Sequence, residues 1–144
     1  MTLRIFLDAS VLFSAAYSSS GFARDLLASG YRRDVILSVS RDVVEEVTRN
    51  LSGKKPHALT TLRGFVASGS LTVVAPDPSV VHQCAEIVEP KDAHVVAAAI
   101  AAEASMLVTY DRKHLLSRAD DIQRLFDITV MTPEEILRTL PSLD

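Results

Sequence analysis

Residues 90–116 read PKDAHVVAAAIAAEASMLVTYDRKHLL, and they join a helical pattern to a strand pattern. Residues 92–104 are rich in alanine with apolar residues at helical spacing, whereas MLVT at 106–109 is a compact apolar run typical of a buried strand. One acid, Asp92, opens the helical pattern, and a second, Asp111, follows the strand. This segment therefore predicts a helix followed by a strand of a buried sheet, with an acid beside each.

The alternation continues toward both ends of the chain. The strand patterns are LRIFLD at 3–8, VILS at 35–38, LTVVA at 71–75, MLVT at 106–109 and ITV from 128. The helical patterns are VLFSAA at 11–16, FARDLLAS at 22–29, DVVEEVTRNL at 42–51, HALTTLRGFVAS at 57–68, SVVHQCAEIV at 79–88, DAHVVAAAIAAEA at 92–104 and PEEILRTL at 133–140. Apolar strands alternating with helices predict an α/β fold with a mostly parallel central sheet covered on both faces.

Composition and length predict one domain over residues 1–144. The chain is 48% apolar and 23% charged, and SSSG at 18–21 and SGKKP at 52–56 are predicted to be surface loops rather than linkers. Cys84 is the only cysteine, which excludes an intramolecular disulfide and a thiolate zinc site. The four histidines have no short metal-ligand spacing among themselves, so we expect them at the surface or half-buried.

The N-terminus lacks the pattern of a secretory signal, and the apolar stretches are too short to span a membrane. We therefore expect a cytoplasmic protein without a membrane segment. A formal net charge of -3 argues against a protein that coats nucleic acid by bulk electrostatic attraction, although local basic clusters can still bind phosphates.

Two acids follow strand patterns directly. Asp8 ends the first pattern and Asp111 follows the fourth, so both are expected at the carboxyl edge of the sheet, where ligands bind in open α/β folds. The alternative for each is a structural one, in which the carboxylate caps the backbone of the helix or turn that follows.

Asp92 projects from its helix on the same side as Val95, Val96 and Ala99, which is the side expected to be buried. Burying a carboxylate without a partner costs several kcal/mol, unless it is paired, hydrogen-bonded or bound to a metal. The alternative is a half-exposed acid in the first turn, where the helix dipole favours negative charge.

A fourth acid comes from the helical pattern at 42–51. Its apolar stripe is formed by Val43, Val44, Val47 and Leu51, and Glu46 lies beside this stripe, whereas Asp42 and Glu45 are expected to point nearly opposite. Glu46 is therefore the better candidate for reaching inward, the alternative being a solvated glutamate. Four inward acids without matching cations predict a site for Mg²⁺ or Mn²⁺, with one or two ions, as in phosphodiester hydrolysis.

Three segments together resemble a known family. FLDASVLFSA at 6–15, SVSRDVVEEV at 38–47 and residues 90–116 resemble, in order, the acidic motifs of PIN-domain nucleases, including the VapC-type toxins of toxin–antitoxin modules. The resemblance extends over about residues 3–131. It implies a three-layer α/β/α sandwich and a Mg²⁺- or Mn²⁺-dependent endoribonuclease.

The resemblance assigns a role to individual residues of this sequence. Asp8, Glu46, Asp92 and Asp111 match the four acids that bind metal and form the catalytic site, Ser10 and Thr109 match the supporting polar residues, and Glu45 is the rival for the second acid. The chain departs from the family after Asp111, where Arg112, Lys113 and His114 follow instead of another acid. Arg112 and Lys113 are candidates for binding RNA phosphates.

The partners implied by the resemblance are an RNA substrate, a small antitoxin protein and a second copy of the chain in a homodimer. Two other functions remain open within the same fold. One is a nuclease that processes RNA or cleaves DNA structures, and the other is a scaffold that binds without catalysis. A phosphatase of the haloacid dehalogenase type is disfavoured, because it needs a second aspartate where Ser10 lies.

Overall fold

The computed structural model describes residues 2–140, and its centre is a five-stranded sheet. The strands are β1 (Leu3–Leu7), β2 (Val35–Ser40), β3 (Leu71–Val74), β4 (Met106–Val108) and β5 (Thr129–Met131). Their order across the sheet is β3-β2-β1-β4-β5, and every neighbouring pair is parallel. The five predicted strands are confirmed, with bounds shifted by one or two residues.

Eight α-helices connect the strands or follow them in the described part of the chain. They are α1 (Ala9–Tyr17), α2 (Phe22–Ala28), α3 (Arg41–Lys54), α4 (Leu59–Ala67), α5 (Pro78–Cys84), α6 (Pro90–Ala101), α7 (Ala119–Phe126) and α8 (Pro133–Thr139). Helix α1 packs against α2 and α3, and α8 packs against α2, whereas α5 packs against α6, which contacts β1, β2 and β4. These two groups cover the sheet and confirm the predicted α/β/α sandwich.

The central strand β1 explains why the fold needs helices on both sides. Ile5, Phe6 and Leu7 are consecutive and fully buried, although successive residues of a strand point to opposite faces. Both faces of β1 must therefore be covered by apolar side chains. Leu12 of α1 and Val96 of α6 are among the fully buried side chains of the core.

Two expectations from the sequence are wrong. Helix α7 was not predicted, because it is short and Ile122 is the one residue in it that is buried, so its apolar stripe is narrow. The loop predicted at 52–56 begins later than expected, since α3 continues through Lys54 and ends just before Pro56. A proline disfavours helical geometry in the residue before it, which accounts for the end at this point.

No α-helix among residues 2–140 combines the length and the apolar character that crossing a membrane requires.

Gly30 lies where two backbone segments approach closely, in a short 3₁₀ turn before β2. A Cβ atom there would lie 3.0 Å from the carbonyl oxygen of Ser70 and 2.9 Å from Cδ1 of Leu37. We expect Gly30→Ala to lower the free energy of unfolding by about 1–3 kcal/mol, because the backbone of Ser70 has to move. Urea denaturation measures the change.

Gly53 in α3 provides the matched control, since a Cβ there meets nothing within 4 Å. Gly53→Ala should raise the free energy of unfolding by about 0.5–1 kcal/mol, because alanine loses less backbone entropy in a helix. Equal effects of the two substitutions would contradict the close approach at Gly30.

Candidate functional site

A cavity of about 510 Å³ opens at the carboxyl edge of the sheet. The strand order reverses between β1 and β4, and such reversal points are where ligands bind in open α/β sheets. The cavity is lined by six acids (Asp8, Asp42, Glu45, Glu46, Asp92, Asp111), by the cations Arg49 and Lys91, and by Ala9, Ser10, Ser40, Val43, His94, Val95 and Tyr110. The four acids predicted to converge are therefore among its walls.

Asp8 follows β1 and is fixed by two hydroxyl groups. Oγ1 of Thr109 donates a hydrogen bond to Oδ2 of Asp8 at 2.7 Å, and Oγ of Ser10 donates to the same oxygen at 3.1 Å. The same hydroxyls accept hydrogen bonds from the backbone N–H groups of Tyr110 and Asp111. Ser10 and Thr109 therefore tie the end of β1 to the segment that follows β4.

The alternative role of Asp8 as a helix cap is not what the structure shows. Asp8 occupies the N-cap position of α1, but its side chain makes no capping hydrogen bond. It is 8% exposed, and burial raises its pKa above the ordinary value, although hydrogen bonds from Thr109 and Ser10 oppose the rise. The carboxylate is thus oriented toward the cavity and destabilised in its charged form.

Asp92 lies in the first turn of α6 and is also 8% exposed, as its position on the apolar stripe predicted. Its Oδ2 is buried and has no hydrogen-bond partner. Burial raises the pKa of Asp92, and the nearby charge of Asp111 adds to the rise. A buried carboxylate oxygen without a partner is costly, so this atom fits a cation bound in the cavity.

Asp111 combines a structural and a cavity-facing role. Its Oδ1 accepts a hydrogen bond from the backbone N–H of His114 at 3.0 Å, so it caps the turn that follows β4. Its Oδ2 lies 3.3 Å from Nδ1 of His114. The capping reading of Asp111 is confirmed, and its role as a ligand stays a prediction, although Asp111 also lines the cavity.

Glu46 and its neighbours on α3 show where a helical wheel is insufficient. Glu46 lines the cavity together with Asp8 and Asp92. Burial raises the pKa of Glu46, and the charges of Asp8 and Asp92 raise it further, whereas the charge of Arg49 lowers it. However, Asp42 and Glu45 also line the cavity, and all three acids of α3 are exposed, so the lining alone does not separate Glu46 from Glu45. The cavity lies near the N-terminus of α3, where side chains from several sides of the helix reach it.

Arg112 and Lys113, the predicted phosphate-binding residues, are exposed and do not line the acidic cavity. Lys113 lines a neighbouring cavity together with Ser117 and Arg118. The cations in the acidic cavity are instead Arg49 and Lys91, which the sequence reasoning did not single out. Their sequence signal is proximity to the acids, since Arg49 is one helical turn after Glu46 and Lys91 precedes Asp92.

His114 is a further residue that the sequence reasoning set aside. One ligand atom each from Asp92, Asp111 and His114 lie within 4.8 Å of one another, which is a grouping that can hold a metal ion. The spacing among histidines gave no signal, because the partners of His114 are aspartates. A buried carboxylate with an unpartnered oxygen, a partly exposed carboxylate and an imidazole are together a donor set that fits a divalent cation.

Residues 4–113 match the family model of the PIN domain. No curated protein sequence is significantly similar to this chain.

Solved structures with the same fold include three that span nearly the whole chain or most of it. A protein from Pyrobaculum aerophilum is 18% identical with a TM-score of 0.66 and covers 96% of this chain and 96% of its own. DNA-bound VapBC from Salmonella typhimurium is 17% identical with a TM-score of 0.65, covering 92% and 99%. VapC20 from Mycobacterium tuberculosis, a toxin that cleaves the sarcin–ricin loop, is 18% identical with a TM-score of 0.57, covering 76% and 91%.

The buried position of Asp8 generates a pH-dependent prediction for the metal-free protein. Because the pKa of Asp8 is raised, the folded state binds the proton more tightly than the unfolded state does. The protonated carboxyl group therefore contributes to stability below the ordinary pKa of 3.8, and this contribution is lost as the pH rises through the pKa of the folded state. Asp8→Asn should therefore raise the free energy of unfolding at neutral pH. The gain should shrink toward about pH 4, as measured by urea denaturation across pH.

Asp77 is the control of opposite sign. It caps α5 by accepting hydrogen bonds from the hydroxyl and the backbone N–H of Ser79, which lower its pKa. Asp77→Ala should lower the free energy of unfolding at neutral pH, with a loss that shrinks as the pH falls. A loss of stability in Asp8→Asn at neutral pH would contradict the prediction.

Proposed function

The chain belongs to the PIN domain family, and we propose that it is a divalent-metal-dependent endoribonuclease that acts as the toxin of a toxin–antitoxin pair. One observation carries the proposal. Acids from four separate segments line one cavity at the carboxyl edge of the sheet, and the buried Oδ2 of one of them, Asp92, has no partner in the protein.

The proposed metal ligands are Asp8, Asp92 and Asp111, with Glu46 as a ligand or as the group that orients water beside the ion. Carboxylate oxygens suit Mg²⁺ and Mn²⁺, and the site would hold one or two ions. A divalent ion in such a site activates water and neutralises the charge that develops on the phosphate during hydrolysis.

The residues around the ligands support this chemistry by positioning. Thr109 is fully buried, and its hydroxyl holds Asp8 at a fixed orientation relative to the backbone of Asp111. Ser10 repeats this connection from α1. Ligands that are held in place before the ion binds lose little freedom on binding, so these hydroxyls favour a preorganised site.

Arg49 and Lys91 are proposed to contact the phosphates of the substrate at the cavity, since they supply positive charge among its acids. Arg112 and Lys113 are exposed beyond Asp111 and are proposed to contact phosphates farther along the RNA. Contacts of this kind give affinity and register rather than base recognition.

RNA is proposed as the substrate because VapC20, which shares the fold, is a toxin that cleaves the sarcin–ricin loop. A small antitoxin is proposed as the partner, since VapBC complexes from Salmonella typhimurium and Rickettsia felis also share the fold. Its tail would enter the acidic cavity and block it. By the same resemblance we propose a homodimer that acts on cytoplasmic RNA.

Asp8→Asn and Asp92→Asn test the proposed catalysis. Each substitution keeps the size of the side chain but removes a negative ligand, so we expect RNA cleavage to fall by about 10²-fold or more. Cleavage of labelled RNA by the purified protein in Mg²⁺ or Mn²⁺ measures the effect. Asp120→Asn, at an exposed acid on α7, is the control and should retain activity.

Wild-type activity in both site variants would remove these aspartates from the mechanism. A scaffold without catalysis would show no cleavage in the wild type and no rise in thermal stability when Mg²⁺ or Mn²⁺ is added. An active site of the proposed kind should show both, and a chelator should abolish both.

Glu46→Gln and Glu45→Gln form a matched pair that decides which glutamate serves the site. Glu46 shares its electrostatic environment with Asp8 and Asp92, so we expect its substitution to reduce RNA cleavage by about tenfold or more. Glu45→Gln should change the rate by less than about threefold. Rate constants under single-turnover conditions make the comparison, and a larger loss in Glu45→Gln would reverse the assignment.

A further inference from the structure

His114 lies beside two of the proposed metal ligands, in the turn that follows β4. Its Nδ1 is 3.3 Å from Oδ2 of Asp111, and its side chain is 23% exposed. Within the described residues, its imidazole forms a compact group with the carboxylates of Asp92 and Asp111. None of the roles proposed above uses this side chain.

We propose that His114 supplies an imidazole nitrogen to the metal site, and that the site therefore takes a first-row transition-metal ion in preference to Mg²⁺. The inference rests on the proposed function in one respect, which is that Asp92 and Asp111 hold a divalent ion. It adds a nitrogen ligand and a selectivity between ions.

The ligand chemistry gives the direction of the selectivity. Mg²⁺ prefers oxygen ligands in strict octahedral geometry and keeps several waters, so an imidazole nitrogen contributes little to its binding. First-row transition ions accept imidazole readily and tolerate carboxylates as well. A site with two carboxylates and one imidazole therefore discriminates against Mg²⁺ more than a site of carboxylates alone.

The geometry allows all three groups to meet one ion. Their ligand atoms lie within 4.8 Å of one another, whereas two ligands on opposite sides of an ion at about 2.1 Å are about 4.2 Å apart, so the side chains close by about 0.6 Å or less when they share an ion. The backbone N–H of His114 donates to Oδ1 of Asp111, which holds the imidazole next to this acid. Asp92, whose Oδ2 is buried without a partner, completes the group.

The rival arrangement is a histidine that only donates a hydrogen bond to Asp111 and never contacts the ion. In that arrangement the imidazole orients a carboxylate, and the ligand set around the ion consists of oxygen alone. The two arrangements differ in whether a nitrogen atom is bonded to the metal, which a spectroscopic measurement resolves.

The experiment uses the full-length protein with Mn²⁺ and Mg²⁺ as probes. Calorimetric titration gives the affinity for each ion in the wild type, His114→Ala and His114→Asp, and pulsed paramagnetic resonance of bound Mn²⁺ detects coupling to ¹⁴N. We expect His114→Ala to weaken Mn²⁺ binding by about 10–100-fold, to change Mg²⁺ binding much less and to remove the ¹⁴N coupling. His114→Asp should shift the preference toward Mg²⁺.

His82→Ala is the matched control, because His82 is exposed on α5 and is not part of the group that His114 forms with Asp92 and Asp111. It should leave both affinities and the ¹⁴N coupling unchanged. Bound Mn²⁺ without ¹⁴N coupling in the wild type, or an unchanged ratio of Mn²⁺ to Mg²⁺ affinity in His114→Ala, would overturn the role of His114 alone. A wild-type protein that binds neither ion would overturn the proposed function as well.

Discussion

Thr109 follows β4 and Asp8 follows β1, and the hydrogen bond between them joins the two neighbouring strands at which the strand order reverses. The position of the acids at the carboxyl edge of the sheet depends on this bond. Strands β1 and β4 are neighbours although about a hundred residues separate them in the chain. Their pairing brings a fully buried hydroxyl to a nearly buried carboxylate. Because the same hydroxyl accepts the backbone N–H of Asp111, one side chain sets the position of two acids. The site is therefore a consequence of strand order rather than of loop conformation.

Strand patterns, the helix–strand alternation and the family were predictable from the sequence, and the match over residues 4–113 confirms the family. The inward position of Asp92 was predictable for a physical reason, since it shares a helical stripe with residues that had to be buried. Ser10 and Thr109 were expected to support the site, and both donate hydrogen bonds to Asp8, while their role in a site stays a prediction.

The sequence did not predict how near individual side chains lie to the cavity, nor where the turn after β4 places His114. A helical wheel gives the direction of a side chain around the axis but not how near it lies to the end of a helix, so it does not reveal that Asp42 and Glu45 line the cavity as well. The position of His114 depends on the turn after β4, which brings it to aspartates rather than to other histidines. Helix α7 was missed because Ile122 alone gives it a buried position.

The acids of the cavity are difficult to explain as structural elements. A buried carboxylate with a structural role has an ion pair or a full set of hydrogen bonds, yet within residues 2–140 no lysine or arginine lies within 4.0 Å of the carboxylates of Asp8 or Asp92. Burial raises the pKa of both, so the charged forms oppose folding at neutral pH. The apolar core already covers both faces of the sheet, and these charges do not stabilise it. A cation bound between them would balance this cost, which is the condition that the proposed function supplies.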